Sequence, residues 1–165
     1  MKGLSGRMIL AIGAAIVMLA PGAALAKGTF KGTYGAEKFK SKKFVVLCAY
    51  TRSIGFFSIG GTQASKKKQK FATASGTGPD PTASTAVFPI VLTDDGAGFA
   101  SGAGGAATTL PFWASQDDDV VVTLTGYKKG KIVGTVTGTL QPVQGDTGGV
   151  AIPVNATFSA KCTVQ

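Results

Sequence analysis

The sequence predicts an all-β protein, a single antiparallel β-sandwich, with a closed β-barrel as the alternative. Three observations lead there. From residue 154 to residue 164 apolar and polar residues alternate without a break, with Val154, Ala156, Phe158, Ala160, Cys162 and Val164 on one side. Asn155, Thr157, Ser159, Lys161 and Thr163 fall on the other, which is the period of a half-buried strand. Shorter runs of the same kind, separated by Gly, Pro, Ser and Asp, recur along the chain and make roughly seven to ten strands. Beyond residue 26 nothing repeats with the period of a helix.

The first 26 residues carry Lys2 and Arg7, then an apolar run from Met8 to Ala20, then Pro21-Gly22 and Ala24-Leu25-Ala26. This is the order of a secretory signal peptide, and the apolar run is shorter than the ~20 residues of a spanning helix. Cleavage is expected after Ala26, leaving an exported chain in the periplasm or outside the cell, with no transmembrane segment. Removing 26 of 165 residues leaves 139, the size of one domain, here residues 27–165.

Lys27-Gly28-Thr29-Phe30 is echoed by Lys31-Gly32-Thr33-Tyr34, an opening edge strand with lysines toward water. Phe44 to Tyr50 is apolar on both faces and suits a central strand, with Ile54 to Ile59 as its hairpin partner. Lys66-Lys67-Lys68-Gln69-Lys70 is then a loop or the start of a strand. Thr73 to Ser84 is Gly, Pro, Ser and Thr with a single Asp, and is expected as a long surface loop. Thr85 to Leu92 resembles a strand, with Pro89 marking an edge or a bulge, and Thr93-Asp94-Asp95-Gly96 has turn chemistry.

Residues 98–107 offer little core, and Phe112 and Trp113 bring aromatic surface back, Trp113 as a core or rim anchor. The clearest hairpin runs from Val120 to Tyr127, turns at Lys128-Lys129-Gly130 and returns from Lys131 to Leu140. Val120, Val122 and Leu124 would share one face with Ile132, Val136 and Leu140, while Gly134 and Gly138 leave room for bulky partners. The stretch 129–140, together with Asn155-Ala156-Thr157-Phe158-Ser159-Ala160, resembles the closing strands of small secreted bacterial β-sandwich proteins of unknown function. That resemblance implies a fold and no activity.

The chemistry is mostly in what is missing. There is no histidine, the usual general base of hydrolases and the commonest zinc ligand. The acids are Glu37, Asp80, the Asp94-Asp95 and Asp117-Asp118-Asp119 groups and Asp146, and nothing in the sequence pairs them in a cleft. Calcium in loops containing Asp94, Asp95, Asp117, Asp119 and Asp146 is the better use for them, but no EF-hand spacing supports it, so no metal or cofactor is expected. The chain reads as a non-enzymatic exported protein with a structural or binding role toward an envelope or extracellular partner. A carrier of a small apolar ligand and a polyanion binder are the alternatives.

Two expectations are specific. Cys48 lies on the apolar face of Phe44, Val46 and Tyr50, and Cys162 on that of Phe158 and Val164, so an exported chain should join them in a disulfide. Charge is the second. The net charge is +9, and residues 27–70 hold eleven basic residues against Glu37 alone. Lys38, Lys40, Lys42 and Lys43 enter one strand, and Lys66, Lys67, Lys68 and Lys70 leave its hairpin, so antiparallel pairing would gather eight lysines on one rim. Such a rim suits a polyanionic envelope or extracellular polymer.

Overall fold

The computed structural model describes residues 24–41, 46–65, 68–82, 88–103, 112–116, 119–143 and 149–165. Its strands are β1 (Ala24–Ala26), β2 (Gly28–Tyr34), β3 (Glu37–Lys40), β4 (Val46–Thr51), β5 (Phe56–Ala64) and β6 (Lys68–Thr77). They continue as β7 (Phe88–Ala103), β8 (Phe112–Ala114), β9 (Val120–Lys128), β10 (Lys131–Pro142), β11 (Ile152–Ala160) and β12 (Thr163–Val164). Among the described residues the only helical element is a single 3-10 turn, Arg52–Ile54. The all-β expectation holds, and the order β1-β4-β5-β6-β7-β8-β10-β11-β2-β3 does not return on itself, so the sheet is not a closed barrel.

The strands fall into two layers. One runs β4-β5-β6-β7-β8, with β1 and β12 both on the outer edge of β4. The other runs β3-β2-β11-β10-β9. Two long strands pass from layer to layer: β7 pairs β9 at Phe88–Ile90 and β6 from residue 91 onward, and β10 pairs β11 as far as Leu140 but β8 at Gln141 and Pro142. Every pairing is antiparallel except β12 with β4.

Between the layers lies one apolar core, and aromatic rings join its two sides. Tyr34 of β2 stacks on Phe99 of β7 with centroids 4.3 Å apart, and Phe158 of β11 stacks on Phe57 of β5 at 5.6 Å. The β9–β10 hairpin matches the sequence reading: Val120, Val122, Leu124, Ile132, Val136 and Leu140 are all buried. Lys129 and Gly130 both take positive φ, 51° and 72°, as a two-residue turn with the twist of the flanking strands requires. Gly134 sits opposite Phe158, whose ring fills the space a side chain would need. Gly138 does something else: it is exposed, has φ 138°, and makes room for the backbone of Asp119 and Val120 rather than for a bulky side chain.

Several expectations are corrected. Thr73–Thr77 is not loop but the second half of β6, hydrogen-bonded between β5 and β7, with Ala72, Ala74 and Gly76 facing in. Thr93-Asp94-Asp95-Gly96 is not a turn between elements but a bulge inside β7: Ala97 faces Ala74 and Leu92 faces Gly76, which leaves these four residues against Ser75 alone. The stretch after it does build core, since Ala97, Phe99 and Ala100 are buried. β2 is interior rather than an edge, because β3 covers its free side.

The alternation from residue 154 to 164 is also two strands and not one. β11 ends at Ala160, the chain changes layer, and β12 lies beside Ala49 and Tyr50 of β4. The break is what lets Cys162 reach Cys48 on the other layer. The two form the expected disulfide with Cα atoms 4.5 Å apart, and Cys48 is fully buried. Trp113 is a rim anchor, half-buried beside Phe99 and donating Nε1–H to the Val150 carbonyl at 3.0 Å. Residues 1–23 of the proposed leader lie outside the described residues, as do Thr85, Val87 and residues 104–111.

Candidate polyanion interface

The strand period puts Phe30, Tyr34 and Phe39 into the core, so Thr29, Lys31, Thr33, Lys38 and Lys40 must point the other way, and all five are exposed. On β11 the same logic buries Val154, Ala156 and Phe158 and exposes Asn155 and Thr157. Register then aligns these residues in rows across the layer. One row is Thr123, Thr135, Thr157, Lys31 and Lys40, and the next is Val121, Thr137, Asn155, Thr33 and Lys38. None of the outward positions on these five strands is acidic. Over β3, β2 and β11 the face is hollowed into a shallow depression of about 430 Å³ whose lining includes Lys31, Thr33, Lys38, Lys40, Asn155 and Thr157.

Lys31 and Lys40 are direct cross-strand neighbours, and like charges in that relation destabilise a sheet. Neither they nor Lys38 form an ion pair among the described residues. An anion bound over the depression would relieve that repulsion.

The other lysines of the expected rim behave differently. β6 does bring Lys68 and Lys70 to the end of the sandwich where β3 lies, as antiparallel pairing required, but both are engaged. Lys68 Nζ pairs with Glu37 Oε1, while Lys70 Nζ lies 2.7 Å from Oε2 and donates to the Lys38 carbonyl at 2.6 Å. Ser101 Oγ adds a hydrogen bond to Oε2 at 3.2 Å. Burial raises the Glu37 carboxyl pKa, but the hydrogen bonds from Lys68 and Lys70 outweigh it and hold the group below the usual range. The cluster sums to one positive charge and ties β6 to β3 across the two layers. Its work is structural, whereas Lys31, Lys38 and Lys40 on β2 and β3 are exposed and outside it. Lys42, Lys43, Lys66 and Lys67 lie outside the described residues.

No family model, curated protein or solved structure matches this chain.

The two loop carboxylates that the structure describes, Asp119 and Asp80, each have partners of their own. Asp119 accepts Gln141 Nε2–H at 2.8 Å, and its carbonyl receives Thr139 N–H at 2.8 Å. Asp80 accepts from Arg52 Nε at 2.8 Å, from Thr82 N at 2.8 Å and from Thr82 Oγ1 at 2.6 Å. No group of three metal-binding side chains occurs among the described residues; Asp117, Asp118 and Asp146 lie outside them, as do the side chains of Asp94 and Asp95. No helix among the described residues is long and apolar enough to cross a membrane.

Sequence reasoning missed Lys31, Thr33, Asn155 and Thr157 as a group. The signal existed in two places, the Lys-Gly-Thr repeat and the Asn-Ala-Thr step of β11, but only the pairing of β2 with β11 joins them.

Proposed function

We propose that this chain is exported, cut after Ala26, and works by binding rather than catalysis, holding polyanions on the outward face of β3, β2 and β11. The observation that carries the reading is the placement of Lys31, Lys38 and Lys40 around one depression, on a face without an acidic outward residue. The leader-like first 26 residues and the Cys48–Cys162 disulfide support export, because disulfides persist in oxidising compartments. The absence of histidine from the sequence supports binding over hydrolytic chemistry.

Polyanion affinity of this kind falls with added salt, since released counterions drive it. The full chain, expressed with its leader, should be retained on a heparin column at low salt. The Lys31→Gln/Lys38→Gln/Lys40→Gln variant should elute far earlier. Lys68→Gln/Lys70→Gln should lose less, because in the native protein those two charges are already opposed by Glu37. Co-elution of the triple variant with the wild type would refute the reading, because the overall charge would then suffice without an organised face.

A further inference from the structure

We infer that the polyanion is a carboxylated polysaccharide lying across the strands, an inference that rests on the polyanion reading above. The face is mixed rather than uniformly charged. Its three lysines stand on β2 and β3, and the same rows continue over β11, β10 and β9 through Asn155, Thr157, Thr135, Thr137 and Thr123. Hydroxyl and amide groups both donate and accept hydrogen bonds, as sugar hydroxyls do. A polyphosphate offers oxygen acceptors alone and carries charge at every unit, so it would leave half of this capacity unused. A uronate polymer, with one carboxylate and several hydroxyls per sugar, presents charged and neutral groups in the proportion the face offers.

The geometry points the same way. Neighbouring strands lie ~4.8 Å apart, so the row from Thr123 to Lys40 places a polar group about once per sugar length over roughly 19 Å, and the neighbouring row does so as far as Thr137, ending on the apolar Val121. Nucleic acid fits less well. No outward residue of these rows is aromatic, so unstacked bases would find no platform, and none is arginine, the side chain that grips phosphate with two hydrogen bonds.

The test compares polygalacturonate, polyphosphate and single-stranded DNA at one low salt concentration, by calorimetric titration of the purified full chain. Thr135→Val/Thr157→Val exchanges two hydroxyls for methyls, keeps every charge and suits a strand. It should weaken polygalacturonate binding about tenfold, the scale of two lost hydrogen bonds, and leave polyphosphate binding unchanged. Asn155→Ala, in the neighbouring row, is the second variant should the first melt early, and the same selective loss is expected. Equal affinity of each variant and the wild type for polygalacturonate would overturn the inference while leaving a purely coulombic polyanion binder standing. Wild-type preference for polyphosphate or single-stranded DNA over polygalacturonate would overturn it as well. Failure of the wild type to bind any of the three would remove both readings.

Discussion

Replacing Tyr34 by Phe should make this protein more stable. Tyr34 is 2 % exposed, its ring stacks on Phe99 at 4.3 Å with planes 10° apart, and it meets Phe39 edge-on at 5.9 Å. Its hydroxyl has no hydrogen-bond partner among the described residues. Burial alone pushes the phenol pKa far above the ordinary tyrosine range, so the group stays neutral at any working pH. A buried, unpaired hydroxyl forfeits its bond to water without replacement, a penalty of about 1–3 kcal/mol. Phenylalanine keeps the ring contacts and removes the penalty. Offsetting a small gap where the oxygen was, a net gain of about 1–2 kcal/mol is expected, or a rise in Tm of roughly 3–6 °C for a chain of this size. Thermal melts by circular dichroism, with urea titrations for the free energy, measure it. A loss of 1 kcal/mol or more would refute the reasoning, since it would show that the hydroxyl is bonded in solution.

Two further outcomes follow from side chains already placed. Gly134→Ala puts a methyl group into the Phe158 ring and 2.6 Å from the Thr123 carbonyl oxygen, so it should destabilise by roughly 2–3 kcal/mol in urea titrations. Phe158→Leu in that background should fail to restore it fully, because the backbone clash remains. The Glu37 cluster sets an acid limit. Its pKa is lowered in the folded state, so its contribution is complete above the unfolded value of 4.5 and is lost as pH falls through the folded value. The stability gap between wild type and Glu37→Gln should therefore be full at neutral pH and narrow as pH falls below 4.5; a gap that widens on acidification would contradict the sign.

What could be read in advance was whatever a strand says about itself. Val120 to Leu140 showed its alternation and its Lys129-Gly130 turn, and Cys48 and Cys162 showed their faces, so the hairpin and the disulfide were legible. Small residues hid the rest. Ala72, Ala74 and Gly76 are core positions, but their side chains are too small to stand out against Thr73 and Ser75, and the stretch looked like a loop. Pairing was hidden too. Nothing local in Lys31 says that β3 lies on one side of it and β11 on the other, and Asp94-Asp95 has the chemistry of a turn whether it ends a strand or bulges from one. The lysines show the same division: the antiparallel pairing of β4 with β5 was legible, whereas the capture of Lys68 and Lys70 by Glu37, from a strand of the other layer, was not.

The outer edge of β4 carries a further consequence. It is closed in two pieces, by β1 along Val46–Cys48 and by β12 along Ala49–Tyr50. β12 is only two residues long, and the covalent bond from Cys162 to Cys48 holds it there. Cutting after Ala26 would take away the first piece, and a reductant would loosen the second. An uncovered β4 would then offer unpaired N–H and C=O groups on a strand of sequence Val-Leu-Cys-Ala-Tyr, a template for the same strand of another molecule. For the processed chain, reduction is thus a matter of colloidal behaviour as much as of folding free energy: the harm it does would grow with protein concentration.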